Sequence, residues 1–241
     1  MAQHPNERDA TDCPRIRGRY LVPATGEVKP ARCGTCKCGW CGPRLALVTA
    51  WAIQLANPTW SAVVTAGEAQ ASEAELEGQV RQLQEAIREL TADLRARGHD
   101  WQAVWVIEVS PRAILHAHVL QRGTRVPPPL FLARCRAVGL DWAAIRPIGR
   151  LTPLARYVLK GAIAGLDLSV PRAVGLMRRH LLLNGGRLAH STRDFWTDEG
   201  GERLGGVREA RTAALRARSR TPQSEYRFLP SHRLRPDGAR P

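Results

Sequence analysis

The stretch WQAVWVIEVSPRAILHAHVL, residues 101–120, decides the fold of this chain. It contains two runs of mainly apolar residues, 101–109 and 113–120, separated by a short segment around Pro111. Two such runs joined by so few residues predict an antiparallel β-hairpin. An antiparallel or mixed sheet is therefore expected at the centre of the protein, with the rest of the chain arranged around it.

The hairpin is expected to bring two histidines and a carboxylate to one face. His116 and His118 alternate along the second strand, so both imidazoles point to the same side. A loop of three residues pairs Ser110 with Ile114, and the same register places Glu108 directly across from His116. Nitrogen and oxygen donors with open positions suit a divalent cation such as Mg²⁺ or Mn²⁺. The alternative is a structural hairpin with two half-exposed histidines and a solvated glutamate.

Helical and strand patterns flank the hairpin on both sides. The clearest is a helix over 72–97, where Ser72 and Glu75 form a capping box, apolar residues recur at helical spacing and Gly98 supplies the stop. Further helices are predicted over 44–56, 129–138, 152–164, 171–182 and 207–218, and further strands over 59–66 and 142–148. This order predicts an α+β fold, in which helices pack on a central antiparallel sheet.

The charge of the chain points to a polyanionic partner. Its 241 residues include 36 Lys and Arg against 22 Asp and Glu, which gives a formal net charge of +14. Nucleic acid is the first candidate partner, and an anionic membrane surface is the second. No run of about 18 or more apolar residues predicts a membrane-spanning helix, and the polar first residues do not resemble a secretory signal. A cytoplasmic protein is therefore expected.

Four cysteines lie close together ahead of the first predicted helix. Cys33 and Cys36 form one CxxC pair, and Cys38 and Cys41 form a second. Such pairs are typical ligands of a structural Zn²⁺, because a tight turn brings the two thiolates together. Cys13 is a further candidate ligand, and a set of free thiols on a loop is the alternative interpretation.

A tyrosine and a lysine share one face of a predicted helix. Tyr157 lies in the helix predicted over 152–164, and Lys160 follows three residues later. Taken alone, the two residues are most simply interpreted as a core tyrosine next to a lysine with no functional role. Next to a metal-binding hairpin the pair gains a chemical meaning, because a tyrosine can attack a phosphodiester and hold the DNA end covalently. The lysine would neutralise the phosphate or help to deprotonate the phenol.

Several of these segments together resemble the HUH endonucleases, and in particular the rolling-circle replication initiators of phages and plasmids. VWVIEVSPRAILHAHVL at 104–120 is similar to the family's strand with His-x-His and an upstream acidic ligand, and RYVLKG at 156–161 is similar to its tyrosine helix. WSAVVTAG at 60–67, which includes Thr65, lies where the family has its first conserved strand. LNGGRLAHSTRDFW at 183–196 is similar to the segment that follows the tyrosine helix.

The resemblance implies a central sheet of RRM-like or ferredoxin-like topology. It also implies an enzyme that nicks and rejoins single-stranded origin DNA through a 5′-phosphotyrosine and leaves a free 3′-OH for a host DNA polymerase. The residues that it assigns are catalytic Tyr157 and Lys160 and the metal ligands His116, His118 and Glu108. The basic residues expected to contact DNA are Arg44, Arg156, Arg187 and Arg193.

Three regions are expected along the chain. Residues 1–43 form an irregular N-terminal region with the zinc cluster, 44–196 form the nicking domain, and 197–241 form a basic, largely disordered tail. Two other classes of function stay open: a zinc-stabilised, non-enzymatic DNA- or RNA-binding protein, and an HUH transposase or relaxase. The sequence contains no helicase P-loop of the form GxxxxGK[ST], so a host helicase is an expected partner.

Overall fold

The elements of the fold come from a computed structural model, which describes residues 18–22, 27–31, 41–67, 70–72, 74–110, 112–159, 189–218 and 227–229. Its strands are β1 (Gly18–Val22), β2 (Glu27–Ala31), β3 (Trp60–Thr65), β4 (Trp101–Val109), β5 (Leu115–Gly123), β6 (Trp142–Pro147), β7 (His190–Ser191) and β8 (Arg227–Leu229). Its helices are α1 (Cys41–Ala56), α2 (Leu76–Ala96), α3 (Pro128–Ala137), α4 (Leu151–Tyr157) and α5 (Val207–Arg218).

A five-stranded antiparallel sheet contains the predicted hairpin. Its strand order is β6-β3-β5-β4-β7, so β5 and β4 are both interior strands. The predicted α+β class, with helices packed on an antiparallel sheet, is confirmed. A second, three-stranded antiparallel sheet has the order β2-β1-β8. Two of its strands lie within 1–43, where irregular structure was predicted. Pro30 favoured that prediction, yet a proline is tolerated in β2 because β2 is an edge strand.

The turn of the β4–β5 hairpin sets its register. The Ala113 amide donates to the Ser110 carbonyl at 2.8 Å, and the Ser110 amide donates to the Ile114 carbonyl at 2.9 Å. Ala113 has a left-handed φ of 62°, which closes a three-residue loop whose twist matches that of the two strands. The predicted pairing of Glu108 with His116 is therefore confirmed.

Helices cover both faces of the five-stranded sheet. On one face, strand residues such as Trp105 and Val119 pack with α2 and α3 in one apolar cluster. On the other face, Val106 and Leu120 pack with α1, α4 and α5 in a second cluster. Because successive side chains alternate between the faces, the hairpin contributes to both clusters. This double coverage explains why its strands are near-continuous apolar runs rather than alternating ones.

Helix α2 begins later than the sequence predicts. The structure starts the helix at Leu76 rather than at Ser72, because Ser72 and Glu75 take part in a turn that precedes it. The Glu75 amide donates to Ser72 Oγ at 3.3 Å, and the Ser72 hydroxyl donates to Glu75 Oε2 at 2.8 Å. The predicted apolar stripe is buried and consists of Leu76, Val80, Leu83, Ile87, Leu90 and Leu94.

The end of α2 has the geometry of a Schellman motif. The His99 amide donates to the Leu94 carbonyl at 3.1 Å, and the Gly98 amide donates to the Arg95 carbonyl at 2.9 Å. Gly98 has a φ of 83°, in the left-handed region that side chains with a Cβ disfavour. The predicted stop at Gly98 is confirmed.

A glycine within α2 and a glycine just after its end give opposite predictions for the same substitution. Gly98→Ala is expected to lower the free energy of unfolding by about 1 kcal/mol, because a Cβ is disfavoured in the left-handed conformation. Gly78→Ala, in the first turn of α2, is expected to raise it by up to about 0.5–1 kcal/mol, because alanine has a higher helix propensity than glycine. A Cβ at either position meets nothing within 4 Å, so steric clashes do not confuse the comparison. Urea unfolding of the two variants measures both values, and destabilisation by Gly78→Ala would contradict this account.

Helix α5 matches the helix predicted over 207–218, within the region 197–241 that was otherwise predicted to be a disordered tail. It packs on α1 through Ala210 and Ala214, which are both fully buried. The Arg211 guanidinium donates to Thr49 Oγ1 on α1 at 2.8 Å. Small side chains let the two helices approach closely, while arginines reach across to the partner helix. The helix predicted over 207–218 is therefore packed against the rest of the fold.

The other predicted elements are found close to their expected positions where the structure describes them. The helix predicted over 152–164 is observed as α4, which ends at Tyr157; the prediction is wrong for residues 158–159, which form a turn. The remainder of that helix from residue 160 onward and the helix predicted over 171–182 lie outside the described residues. Within the described part of the chain, no helix is both long enough and apolar enough to cross a membrane.

Candidate metal centre

Three side chains of the β4–β5 hairpin converge on one point. Nε2 of His118 lies 3.3 Å from Oε2 of Glu108, and Nε2 of His116 lies 3.8 Å from the same oxygen. The two Nε2 atoms are 3.3 Å apart. We refer to these three side chains, Glu108, His116 and His118, as the metal cluster, because together they could hold one metal ion. Glu108 and His118 are buried and His116 is half-buried, so His116 is the member nearest to solvent.

The local sequence fixes the arrangement of the metal cluster. The two histidines are separated by one residue on β5, which puts them on one face, and the hairpin register places Glu108 opposite His116. Nδ1 of His116 lies 3.4 Å from the carbonyl oxygen of Ile114. With the proton on Nδ1, His116 donates to the backbone and directs the lone pair of Nε2 into the cluster. Backbone contacts of this kind orient histidines that bind metals.

The spacing of these three atoms fits a small divalent cation. A point equidistant from them lies about 2 Å from each, which matches the ligand distances of Mg²⁺ and Zn²⁺. Two imidazoles and one carboxylate leave further positions for oxygen ligands. Among the residues that the structure describes, no other group of three His, Cys, Asp or Glu side chains has suitable spacing.

Tyr157 lies against the metal cluster. The centroid of its ring is 5.5 Å from that of His118, and the two ring planes make an angle of 81°. Tyr157 is 51% exposed, whereas Ala155 and Val158 are buried in the apolar cluster between α4 and the sheet. These buried neighbours hold the end of α4 on the sheet, where the Tyr157 ring contacts His118.

The remaining predicted site residues are not members of the metal cluster or lie outside the described residues. Arg44 is exposed in the first turn of α1, which begins at Cys41, and Arg193 is exposed in the segment after β7. Arg156 belongs to α4, next to Tyr157. Outside the described residues lie Lys160, Arg187, Cys33, Cys36 and Cys38. The predicted site residues that the structure brings together are Glu108, His116, His118 and Tyr157.

The segment after β7 supports the sheet in a way that sequence analysis did not predict. The Thr192 amide donates to the Ala103 carbonyl at 2.8 Å, and the Ala103 amide donates to Thr192 Oγ1 at 3.1 Å. Phe195 and Trp196 are fully buried on the same face of the sheet as the metal cluster. The Trp196 indole donates to Ser191 Oγ at 2.8 Å. The adjacent aromatic residues Phe195 and Trp196 were the sequence signal that could have predicted this packing. They anchor the edge of the sheet.

Cys135 plays no part in the metal cluster. It is buried in α3, in the core position that its apolar surroundings predict. Burial raises the pKa of its thiol to about 12, so the thiolate that binds metals or attacks electrophiles is strongly disfavoured.

Comparisons with known proteins identified no relative of this chain. No protein family, curated protein or solved structure was found to match the chain. The sheet, the Glu108–His116–His118 group and the net charge are the observations from which a function is inferred below.

Proposed function

We propose that this chain is a metal-dependent endonuclease of the HUH class, in which a tyrosine attacks a phosphodiester of single-stranded DNA. More particularly, we propose that it initiates rolling-circle replication by nicking and rejoining an origin. The observation that carries the proposal is the contact of the Tyr157 ring with His118 of the buried metal cluster. This chemistry requires a nucleophile next to a metal centre, and these residues would supply both.

The order of the elements supports the proposal. The succession β3-α2-β4-β5-α3-β6, with the strand order β6-β3-β5-β4, corresponds to a ferredoxin-like arrangement. The resemblance of the sequence to HUH endonucleases implies a topology of this kind. In this arrangement α2 and α3 cover one face, and the metal cluster lies on the opposite face, where α4 carries Tyr157.

In the proposed reaction, the phenolic oxygen of Tyr157 forms a bond to the scissile phosphorus while the bond from phosphorus to the 3′ oxygen breaks. The phenol loses its proton and the departing 3′ oxygen gains one. The downstream strand stays on Tyr157 through its 5′ phosphate, and the upstream strand leaves with a 3′-OH. Because one phosphodiester replaces another, attack by a 3′-OH can reverse the step and rejoin the DNA.

The other residues of the proposed site have supporting roles. Glu108, His116 and His118 would hold Mg²⁺ or Mn²⁺, which when bound polarises the scissile phosphate and stabilises its negative charge. Lys160 would neutralise the phosphate or help to remove the phenol proton.

The charge of the chain fits a DNA substrate. A net charge of +14 favours a polyanion, and exposed Arg44 and Arg193 are proposed to contact the strand, as are Arg156 and Arg187. We also propose that the four clustered cysteines hold a structural Zn²⁺ and that a host helicase and DNA polymerase act with the protein, which would then work in the cytoplasm of a bacterial host.

The proposal is tested by trapping the covalent product. The full chain is incubated with a pool of single-stranded oligonucleotides and Mn²⁺, and the mixture is run on a denaturing gel. Oligonucleotides labelled at the 3′ end should give a band that migrates with the protein, while those labelled at the 5′ end should give shortened free DNA. EDTA should abolish both products. If the protein binds the DNA tightly and forms neither product, the non-enzymatic alternative is favoured.

A further inference from the structure

Thr65 is the last residue of β3 and lies beside the metal cluster. In the pairing of β3 with β5, Val63 is opposite His118 and Val64 is opposite Ala117. One further step in the same register brings Thr65 next to His116. Val64 belongs to the apolar cluster under α2, so by alternation Val63 and Thr65 lie on the face that carries the two histidines.

The hydroxyl of Thr65 is buried without a hydrogen-bond partner in the described part of the chain. Thr65 is 8% exposed, and its Oγ1 atom has no partner among the described residues. Other buried hydroxyls of the fold are bonded: Thr49 donates to the Leu45 carbonyl at 2.6 Å, and Thr197 Oγ1 accepts from the Arg122 guanidinium at 2.8 Å. A buried hydroxyl without a partner destabilises a fold, so its presence at this position calls for a bound polar group.

We propose that Thr65 is a positioning residue of the metal centre. Its hydroxyl would hydrogen-bond a water molecule that the cation holds on the His116 side, where DNA oxygen atoms would later enter. Such contacts to the outer ligands of a metal orient those ligands and strengthen binding of the ion. This inference rests on the metal centre of the proposed function. It adds a residue of β3 to a site that otherwise consists of residues from the two hairpin strands, β4 and β5.

The test measures Mn²⁺ binding by electron paramagnetic resonance in the absence of DNA. Thr65→Val keeps the shape of the side chain and removes the hydroxyl, so the affinity for Mn²⁺ should fall by about 10-fold. Thr65→Ser keeps the hydroxyl and should restore most of the affinity. Ser61→Ala is a matched control: Ser61 lies four residues away on the same face of β3, and its hydroxyl donates to the Arg146 carbonyl at 3.5 Å.

The outcomes separate this inference from the proposed function. If the wild-type chain binds Mn²⁺ and Thr65→Val binds it equally well, the role of Thr65 is wrong and the metal centre stands. If the wild-type chain binds no Mn²⁺, both are wrong. The melting temperature of metal-free Thr65→Val should stay the same or rise, since a methyl replaces a buried hydroxyl. A large decrease, with weak binding that Thr65→Ser does not restore, would mean that Thr65 is merely structural.

Discussion

Tyr157→Phe is expected to abolish the covalent adduct between the protein and single-stranded DNA. The substitution removes only the oxygen proposed to attack the phosphate, so the rate should fall by about 10⁴-fold or more, the scale of losing a catalytic nucleophile. The ring can keep its contact with His118, and Tyr157 is half exposed. The free energy of unfolding should therefore change by about 0.5 kcal/mol or less. Denaturing gels measure the adduct, and filter binding measures the DNA affinity, which should persist.

The other two tyrosines of the chain provide matched controls for this prediction. Tyr20→Phe and Tyr226→Phe remove the same atom elsewhere and should both leave the adduct intact. If Tyr157→Phe still forms the adduct and one of these variants does not, the nucleophile lies elsewhere and the role proposed for α4 is wrong.

Loss of both cluster histidines is expected to remove metal binding. In wild-type protein, Mn²⁺ at 100 times its dissociation constant should raise the free energy of unfolding by about 2.7 kcal/mol, because the ion binds only the folded state. His116→Ala/His118→Ala deletes two of three ligands, so this stabilisation should vanish, and DNA cleavage should vanish with it. Thermal unfolding with and without Mn²⁺ measures the effect, and each variant is compared with its own metal-free form.

A histidine on the opposite face of the same sheet is the control for metal binding. His190 pairs with Trp105 on β4. The two rings are stacked with their centroids 5.8 Å apart, on the face of the sheet opposite the metal cluster. His190→Ala should keep the full stabilisation by Mn²⁺. Equal stabilisation of the double variant and the wild type would show that the ion binds elsewhere.

The geometry of the metal cluster could be predicted because it depends on residues that are close in sequence. A three-residue loop and the two-residue period of a strand are sufficient to bring Glu108, His116 and His118 together. Both rules are local, so they hold without knowledge of how the rest of the chain packs. The apolar stripe of α2 was predictable for the same reason, since helical spacing identifies its buried face.

The position of Tyr157 depends on packing between distant segments. Ala155 and Val158 belong to the same apolar cluster as Val106 and Leu120 of the sheet, which lie more than 30 residues earlier in the chain. Periodicity alone identifies a helix but does not say which face of a sheet it covers, so only the family resemblance suggested this contact. Helix α5 was predicted from its sequence, but its packing on α1 was not. Its basic composition matches that of a disordered tail, so the composition does not indicate a buried face.

Mass spectrometry of the trapped adduct tests the central claim most directly. The chain's three tyrosines fall in different tryptic peptides, and cleavage after Arg156 and Lys160 releases Tyr157 in the four-residue peptide YVLK. After nuclease digestion, the account predicts a nucleotide remnant on Tyr157 of this peptide. A remnant on Tyr20, on Tyr226 or on a serine would contradict it.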